Sequence, residues 1–378
     1  MIMFIVMILL AVGAATWYLS ISLHKALQTL FPKIKYAIIL SVLSALAVSM
    51  VFGFASSRLP LPAWIQTLFA FIFAYGLSFY VYLLFFCVLS DCVIIVFNLF
   101  KRPVLRNKTY RAVSLSCVAV LTLGVGGYGL CNAKEIDKPA YQVRIESEAD
   151  LSDLRLVMIS DVHLGAVGAE ARLAEIVDEI NALQPDIVCI AGDFFDSTYE
   201  AVAAPEAALQ TMRRLSATYG VYACLGNHDT GDSVDKMQAF LAAANVKLLN
   251  DEYVIIDERL VLVGRLDDAP HGGNGGRKRK ALSEILTAET EGLPVIALDH
   301  NPKHIDGYET EADLVLSGHT HNGQISPMTI LTDFIYTVDY GYYQNENGTQ
   351  IIVSSGVGYW GMPIRVGTDS EIVSVTFA

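Results

Sequence analysis

Leu156-Val157-Met158-Ile159-Ser160-Asp161-Val162-His163 is a run of four apolar residues followed by a polar turn that carries an acid and an imidazole. A short, unbroken apolar run that stops at a turn fits a strand buried on both faces. The same pattern recurs along the chain. Ile187–Ala191 leads into Gly192-Asp193, and Val221–Leu225 into Gly226-Asn227-His228. Val295–Leu298 leads into Asp299-His300, and Leu314–Leu316 into Ser317-Gly318-His319-Thr320-His321. Between the first two runs, Leu173, Ile176, Val177, Ile180 and Leu183 fall at i, i+3, i+4, i+7 and i+10, one face of a helix. Further helices are predicted near 203–218 and 233–244. Strand–helix–strand alternation specifies an α/β domain with parallel strands. Beyond about Ile325 the pattern predicts no helix, only strands at Gln350–Ser354 and Glu371–Phe377 joined by Gly-rich turns.

In open α/β sheets, ligands bind where the carboxyl ends of the strands form a crevice. Five strand ends here offer Asp, Asn or His, and five of the eight histidines lie on them. One such histidine would read as an ordinary core residue. A whole buried set of imidazoles and carboxylates is costly to desolvate unless a cation sits among them. Mixed oxygen and nitrogen donors at strand ends are what a metal site needs.

Asp161-Val162-His163, Gly192-Asp193, Gly226-Asn227-His228-Asp229, His300 and Gly318-His319-Thr320-His321 resemble, in order, the motif series of the calcineurin-like metallophosphoesterases. Gly323-Gln324 and Gly356…Pro363-Ile364-Arg365 resemble the bacterial membrane-linked branch of that superfamily, with Asn322 and Phe194-Phe195 as mild departures. The resemblance implies an αββα sandwich of two mixed β-sheets and a centre of two divalent metal ions, Mn, Fe or Zn. It places Asp161, His163, Asp193 and His321 on one ion, and Asp193, Asn227, His300 and His319 on the other, with Asp193 bridging. His228, next to Asn227, is then the expected general acid for the leaving alkoxide. Asp196 is expected either to orient that imidazole or to cap the following helix. Asp229 is expected only to solvate its loop.

The first third of the chain is of another kind. Residues 1–131 hold 9 basic and 1 acidic side chains, whereas 132–378 hold 17 and 38, so the overall −13 is the sum of +8 and −21. Ile2–Leu23, Tyr36–Ala55, Trp64–Phe100 and Ala112–Cys131 are apolar over about the 20 residues that a membrane crossing requires. Met1-Ile2-Met3-Phe4 lacks the basic start of a secretory signal, so the first stretch reads as an anchor helix. Trp64–Phe100 fits one long helix or a hairpin. Lys25, Lys33 and Lys35 before it, and Lys101, Arg102, Arg106, Lys108 and Arg111 after it, fall on one side only if it crosses once. Four helices are therefore predicted, with the N-terminus and the acidic domain outside the cytoplasm. Asp91 is expected to face water near the inner interface. The organisation predicted is a transmembrane region over 1–131, a linker and first strand over 132–150, and the metal-binding domain over 151–378.

A domain of net −21 without a broad basic face is a poor nucleic-acid binder. Its one basic run, Arg277-Lys278-Arg279-Lys280 after a Gly-rich loop from Pro270, reads as a solvated loop or as a flap for an anionic substrate or headgroup. Cys189 and Cys224 lie in strand runs, and their spacing leaves a disulfide between them open. The function expected is hydrolysis of phosphodiester, pyrophosphate or phosphomonoester bonds in a substrate that is itself at the membrane, such as a lipid-linked phosphate. The alternative is a membrane sensor or scaffold in which the domain is regulatory.

Overall fold

The computed structural model describes residues 2–56, 59, 61–99, 108–268, 277–308 and 311–378. These fall into two compact units, Met1–Leu130 with Gly361–Pro363, and Cys131–Trp360 with Ile364–Ala378.

The first unit contains α1 (Ile2–Leu27), α2 (Tyr36–Ser56), α3 (Ala63–Leu99) and α4 (Lys108–Asn132). Each contains a stretch long and apolar enough to cross a membrane, and the protein is an integral membrane protein. α3 is continuous over 37 residues, roughly 55 Å at 1.5 Å per residue. The expected single long helix, and not a hairpin, is what is seen. Leu19, Leu43, Met50, Tyr80 and Val118 are among the side chains buried between the helices. A Cβ on Gly53 would lie 2.2 Å from the Phe69 carbonyl oxygen, so α2 and α3 meet backbone to backbone there. The Tyr18 hydroxyl donates to Asp91 Oδ2 at 2.7 Å. That bond gives the carboxylate a partner within the bundle rather than leaving it to water alone.

In the second unit, β1 (Ile136–Asp137) and β2 (Ala140–Val143) precede β3 (Arg155–Ile159), α5 (Ala169–Ala182), β4 (Ile187–Ala191), α6 (Pro205–Met212) and β5 (Val221–Cys224). Next come α7 (Val234–Ala243), β6 (Val246–Leu248), β7 (Glu252–Ile256), β8 (Leu260–Gly264), α8 (Leu282–Ile285), β9 (Val295–Leu298) and β10 (Leu314–Ser317). The chain ends with α9 (Met328–Ile335), β11 (Gly341–Gln344), β12 (Gln350–Val353), β13 (Ser370–Glu371) and β14 (Val373–Phe377). One six-stranded sheet has the order β2-β14-β3-β4-β5-β6 and the other β11-β12-β10-β9-β8-β7, while β1 and β13 form a small third pair. Each large sheet is mixed. β3, β4, β5 and β6 run parallel, and β14 is antiparallel to β3.

The alternation of side chains explains the layering. Leu156 and Met158 of β3, and Ile187 and Cys189 of β4, face the other sheet, where they meet Leu262, Ile296, Leu298, Leu314 and Leu316. Val157, Ile159, Val188 and Ile190 point the opposite way and pack on Leu173, Ile176, Val177 and Ile180 of α5. Val261, Val263, Ala297 and Val315 do the same on the far side, against Leu282, Ile285 and Tyr308. Both faces of each sheet are thus covered, which is why the strands read as solid apolar runs. The result is the expected αββα sandwich of two mixed sheets. Cys189 and Cys224 are buried free thiols with no disulfide between them.

Two expectations change. Glu371–Phe377 is not one strand but two, broken at Ile372, because β13 pairs with β1 and β14 with β2 and β3. The helix α9 lies where none was expected. Its Thr332 hydroxyl donates to Asp339 Oδ2 at 2.6 Å, which holds its polar side to the chain that follows. Its apolar residues are exposed, and so the burial periodicity that marks an ordinary surface helix is missing.

Candidate metal centre

The strand ends of both sheets meet at one place. Asp161 and His163 follow β3, Asp193 follows β4, Asn227 and His228 follow β5, His300 follows β9, and His319 and His321 follow β10. Asp161, His163, Asp193, His319 and His321 all have φ between 50° and 73°. That left-handed backbone is unfavourable for non-glycine residues and collects at functional sites. It is fixed by the loops: the Asp161 amide donates to the Gly192 carbonyl at 3.0 Å and the His163 amide to the Asp193 carbonyl at 3.1 Å. The two sheets are joined where the His319 amide donates to Asp161 Oδ2 at 3.0 Å. Glycines make room for the carboxylates. A Cβ on Gly226 would sit 2.2 Å from Asp193 Oδ1, and one on Gly318 would sit 2.3 Å from Asp161 Oδ2.

The donor atoms fall into two main sets. Asp161, His163 and His321 each offer one ligand atom, with all three within 4.8 Å of one another, and so do Asp193, His300 and His319. In the first set His163 Nε2 is 3.1 Å from His321 Nε2, which is itself 3.3 Å from Asp161 Oδ1. Asp193 joins the sets, since its Oδ2 lies 3.2 Å from His300 Nε2 and 3.9 Å from His163 Nε2.

Whether a cation fits can be judged at His300. Its Nδ1 donates to the Ala191 carbonyl at 2.9 Å, so a neutral ring must present a lone pair at Nε2. That lone pair faces Asp193 Oδ2 at 3.2 Å and Asn227 Oδ1 at 3.1 Å. Three acceptors then converge in a buried place with no proton between them. The donor set and its geometry fit a divalent ion. Burial would lower His300, but Asp193 and Asp161 raise it well above the ordinary imidazole range. Burial would likewise raise Asp193, but His300, His228 and His163 hold it well below the ordinary carboxylate range. His319 is pushed down to about 4, by burial and then by His300.

The surrounding contacts correct two expectations. Asp196 serves His163 first: its Oδ1 pairs with His163 Nδ1 at 3.0 Å, a carboxylate oxygen also lies within 4.8 Å of a His228 ring nitrogen, and the Nδ1 of His228 pairs with the Ser197 hydroxyl at 3.0 Å. Asp196 does not cap a helix, because the next turn begins at Tyr199 with Thr198 before it. Ser197, in a left-handed backbone at φ 112°, turns the chain between the two acceptors. Asp229 does more than solvate. It is fully buried and accepts the amides of Gly226, Phe194 and Phe195 at 3.0, 3.1 and 2.7 Å, tying the β4 and β5 loops together. Burial, and then Asp193, raise its carboxyl to about 6.

Two arginines that carry no metal donor have places beside the site that their sequence context did not specify. Arg365 is fully buried and donates to the carbonyls of Ser355, Gly356 and Gly358 at 2.6, 3.0 and 2.7 Å, beside His321 Nδ1 at 3.5 Å. Arg279, from the basic run, is not a free cation. It forms a two-pronged pair with Asp299 at 2.8 and 2.5 Å, directly before His300. Arg277 and Lys278 are exposed, and residues 270–276 of that loop lie outside the described residues.

The calcineurin-like phosphoesterase profile matches residues 154–323. An uncharacterized metallophosphoesterase of Helicobacter pylori is 33% identical over 250 residues, 65% of this chain and 64% of that one. A transmembrane protein with metallophosphoesterase domain from Danio rerio is 32% identical over 321 residues, 79% of this chain and 71% of that one. An uncharacterized metallophosphoesterase of Aquifex aeolicus is 31% identical over 261 residues, 68% of this chain and 97% of that one. The chain thus spans just under two thirds of the Helicobacter relative's length.

Proposed function

The chain belongs to the calcineurin-like metallophosphoesterases, and on that premise we propose that it hydrolyses phosphate esters at a centre of two divalent ions, acting on a substrate held at the membrane. The observation that carries the reading is the convergence of His300 Nε2, Asp193 Oδ2 and Asn227 Oδ1 within 3.2 Å of the imidazole nitrogen. Asp161, His163, Asp193 and His321 would hold one ion, and Asp193, Asn227, His300 and His319 the other. Carboxylate, amide and imidazole donors suit Mn, Fe or Zn better than Ca. When bound, such ions supply positive charge to the phosphoryl oxygens and make water a nucleophile near neutral pH.

The remaining work falls to the protein's own groups. Asp196 holds the Nδ1 proton of His163 and so turns its Nε2 inward. The His228 amide donates to Asp193 Oδ1 at 2.7 Å, fixing the acid's loop to the bridging carboxylate. With Nδ1 held by Ser197, the imidazole of His228 protonates the leaving alkoxide as the P–O bond breaks. Water adds to phosphorus on the opposite side and gives up a proton to solvent, from which His228 is protonated again.

The orientation we infer, with the domain and the N-terminus outside the cytoplasm, is supported by Lys25, Lys33 and Lys35 and the basic residues between 101 and 111, which favour the cytoplasmic side.

The full-length protein, purified without chelator, is assayed on a chromogenic phosphodiester with Mn²⁺, Zn²⁺ or Fe²⁺. Asp193→Asn is expected to abolish turnover, and wild-type rates in that variant would sink the two-metal reading. His228→Asn is expected to lose most activity on an alkyl leaving group and little on p-nitrophenolate, which leaves without a proton.

A further inference from the structure

On an ordinary surface helix the apolar face packs on the protein and the polar face meets water. In α5 that rule holds: Leu173, Ile176, Val177 and Ile180 are all buried. In α9 it is reversed. At 100° per residue, Met328, Ile330, Leu331, Phe334 and Ile335 share an arc of about 160°, and Thr329, Thr332 and Asp333 share the opposite side. The threonine side is the one held by the flanking chain, where the Thr329 hydroxyl pairs with that of Ser326 at 3.3 Å and the Thr332 hydroxyl donates to Asp339 Oδ2 at 2.6 Å. The apolar side stands out, with Phe334 88% exposed, Ile330 70% and Ile335 60%. A contiguous exposed face of this kind is a contact surface, not scatter.

Three observations say what covers it. Four helices long and apolar enough to cross a membrane precede the domain, and only three residues separate the end of α4 from β1, so the domain is tethered to a bilayer by a short link. A helix with one strongly apolar face opposite a polar one is suited to lie in the plane of the headgroups. The helix that carries this face also borders the metal centre. The ring of Tyr336, at the C-terminal cap of α9, is 6.1 Å from that of His319. A Cβ on Gly323, two residues past His321, would sit 2.4 Å from the Thr329 amide nitrogen, so the ligand loop rests on the first turn of α9. Across the site, Trp360 is half exposed, its backbone is gripped on both sides by Gln324, and its ring is 6.3 Å from that of His228. An aromatic side chain of this kind favours the membrane interface.

We propose that α9 inserts its Met328–Ile335 apolar face into the bilayer interface and that the site therefore takes amphiphilic phosphate esters, whose apolar chain stays in the lipid while the ester reaches the metal ligands. This rests on the phosphoesterase reading and adds the substrate class and the surface that selects it.

The test uses full-length protein in vesicles of phosphatidylcholine and phosphatidylglycerol at 3:1. Hydrolysis of p-nitrophenyl hexadecyl phosphate in those vesicles is compared with that of soluble p-nitrophenyl ethyl phosphate. Ile330→Ser with Phe334→Ser is expected to lower kcat/KM on the hexadecyl ester about tenfold or more and to leave the ethyl ester within about twofold, while Phe334→Leu retains both. Equal loss on both esters, or no loss on either, would overturn the proposal.

Depth is read without catalysis. Phe334→Cys is labelled with an environment-sensitive dye after Cys92, Cys117 and Cys131 have been changed to Ser. Quenching by brominated lipid is expected. Quenching by aqueous iodide alone would overturn insertion, and so would protection from both quenchers, which would signal a protein partner or a second copy. A lipid-quenched label in a protein that cleaves neither ester would uphold insertion and overturn the phosphoesterase reading with its substrate class.

Discussion

Arg279→Met removes one half of a buried ion pair and leaves the other half in place. Asp299 is 2% exposed and Arg279 18%, and two guanidinium nitrogens reach the two carboxylate oxygens at 2.8 and 2.5 Å. Burial would raise Asp299, but Arg279 brings it below the ordinary carboxylate range. Without Arg279 the carboxylate keeps the Tyr308 hydroxyl, at 2.7 Å, as a direct donor, and Arg265 as a nearby charge. Removing one partner of such a pair costs about 3–5 kcal/mol, and the surviving Tyr308 bond argues for the lower end, about 3 kcal/mol. For a domain of this size each kcal/mol moves the midpoint by about 2–4 °C, so Tm should fall by about 6–12 °C. Thermal unfolding of the full-length protein in detergent, followed by intrinsic fluorescence, reads the shift. Asp299→Asn removes the buried charge itself, so the double variant should be milder than the sum of the singles by about 2 kcal/mol. Additivity within about 0.5 kcal/mol would refute the reasoning, because it would mean that the two groups do not interact.

Asp196→Asn keeps the shape and weakens the hold on the His163 Nδ1 proton, so affinity for the metal should fall about 10–100-fold, as metal titration of the full-length protein would show. Chelation should lower the domain's Tm because Asp161 and Asp193 lose their counter-charge, and Mn²⁺ at about 100 times its Kd should restore about 2.7 kcal/mol. Asp313 accepts the Val295 amide at 2.7 Å, and burial raises its carboxyl above the ordinary 3.8. Its contribution to stability is therefore full below 3.8 and lost as pH rises through the higher folded value. Asp313→Asn should flatten that part of the pH–stability curve, and an unchanged slope would refute the assignment.

The strands that carry the site were legible because burial on both faces leaves an unbroken apolar run, as in Ile187–Ala191. Glu252–Ile256 was not, since it is an edge strand with one partner and four of its residues remain partly or fully exposed. α9 escaped for the reason that gives it interest: a helix whose apolar side faces outward shows no buried stripe, and Met-Thr-Ile-Leu-Thr-Asp-Phe-Ile reads equally as a strand. Within the site the residue types at the strand ends were enough to collect the donor set. Side-chain direction was not. Asp196 lies three residues past Asp193 and could reach either imidazole, and the left-handed turn at Ser197 decides for His163. Arg279 looked like one of four solvated cations because sequence does not show which member of a charge run is drawn under the surface.

The bond from the His319 amide to Asp161 spans 158 residues of chain and closes the seam between the sheets. One set of donors comes from strand ends completed early in synthesis, and the partners of each ion come from β9 and β10, much later. Contacts at such separation form slowly, because the loop must close before the contact can repay it. Neither proposed donor set is complete until the second sheet docks, so capture of the proposed ions belongs at the end of folding, and the compartment in which the seam closes is the one that would supply them.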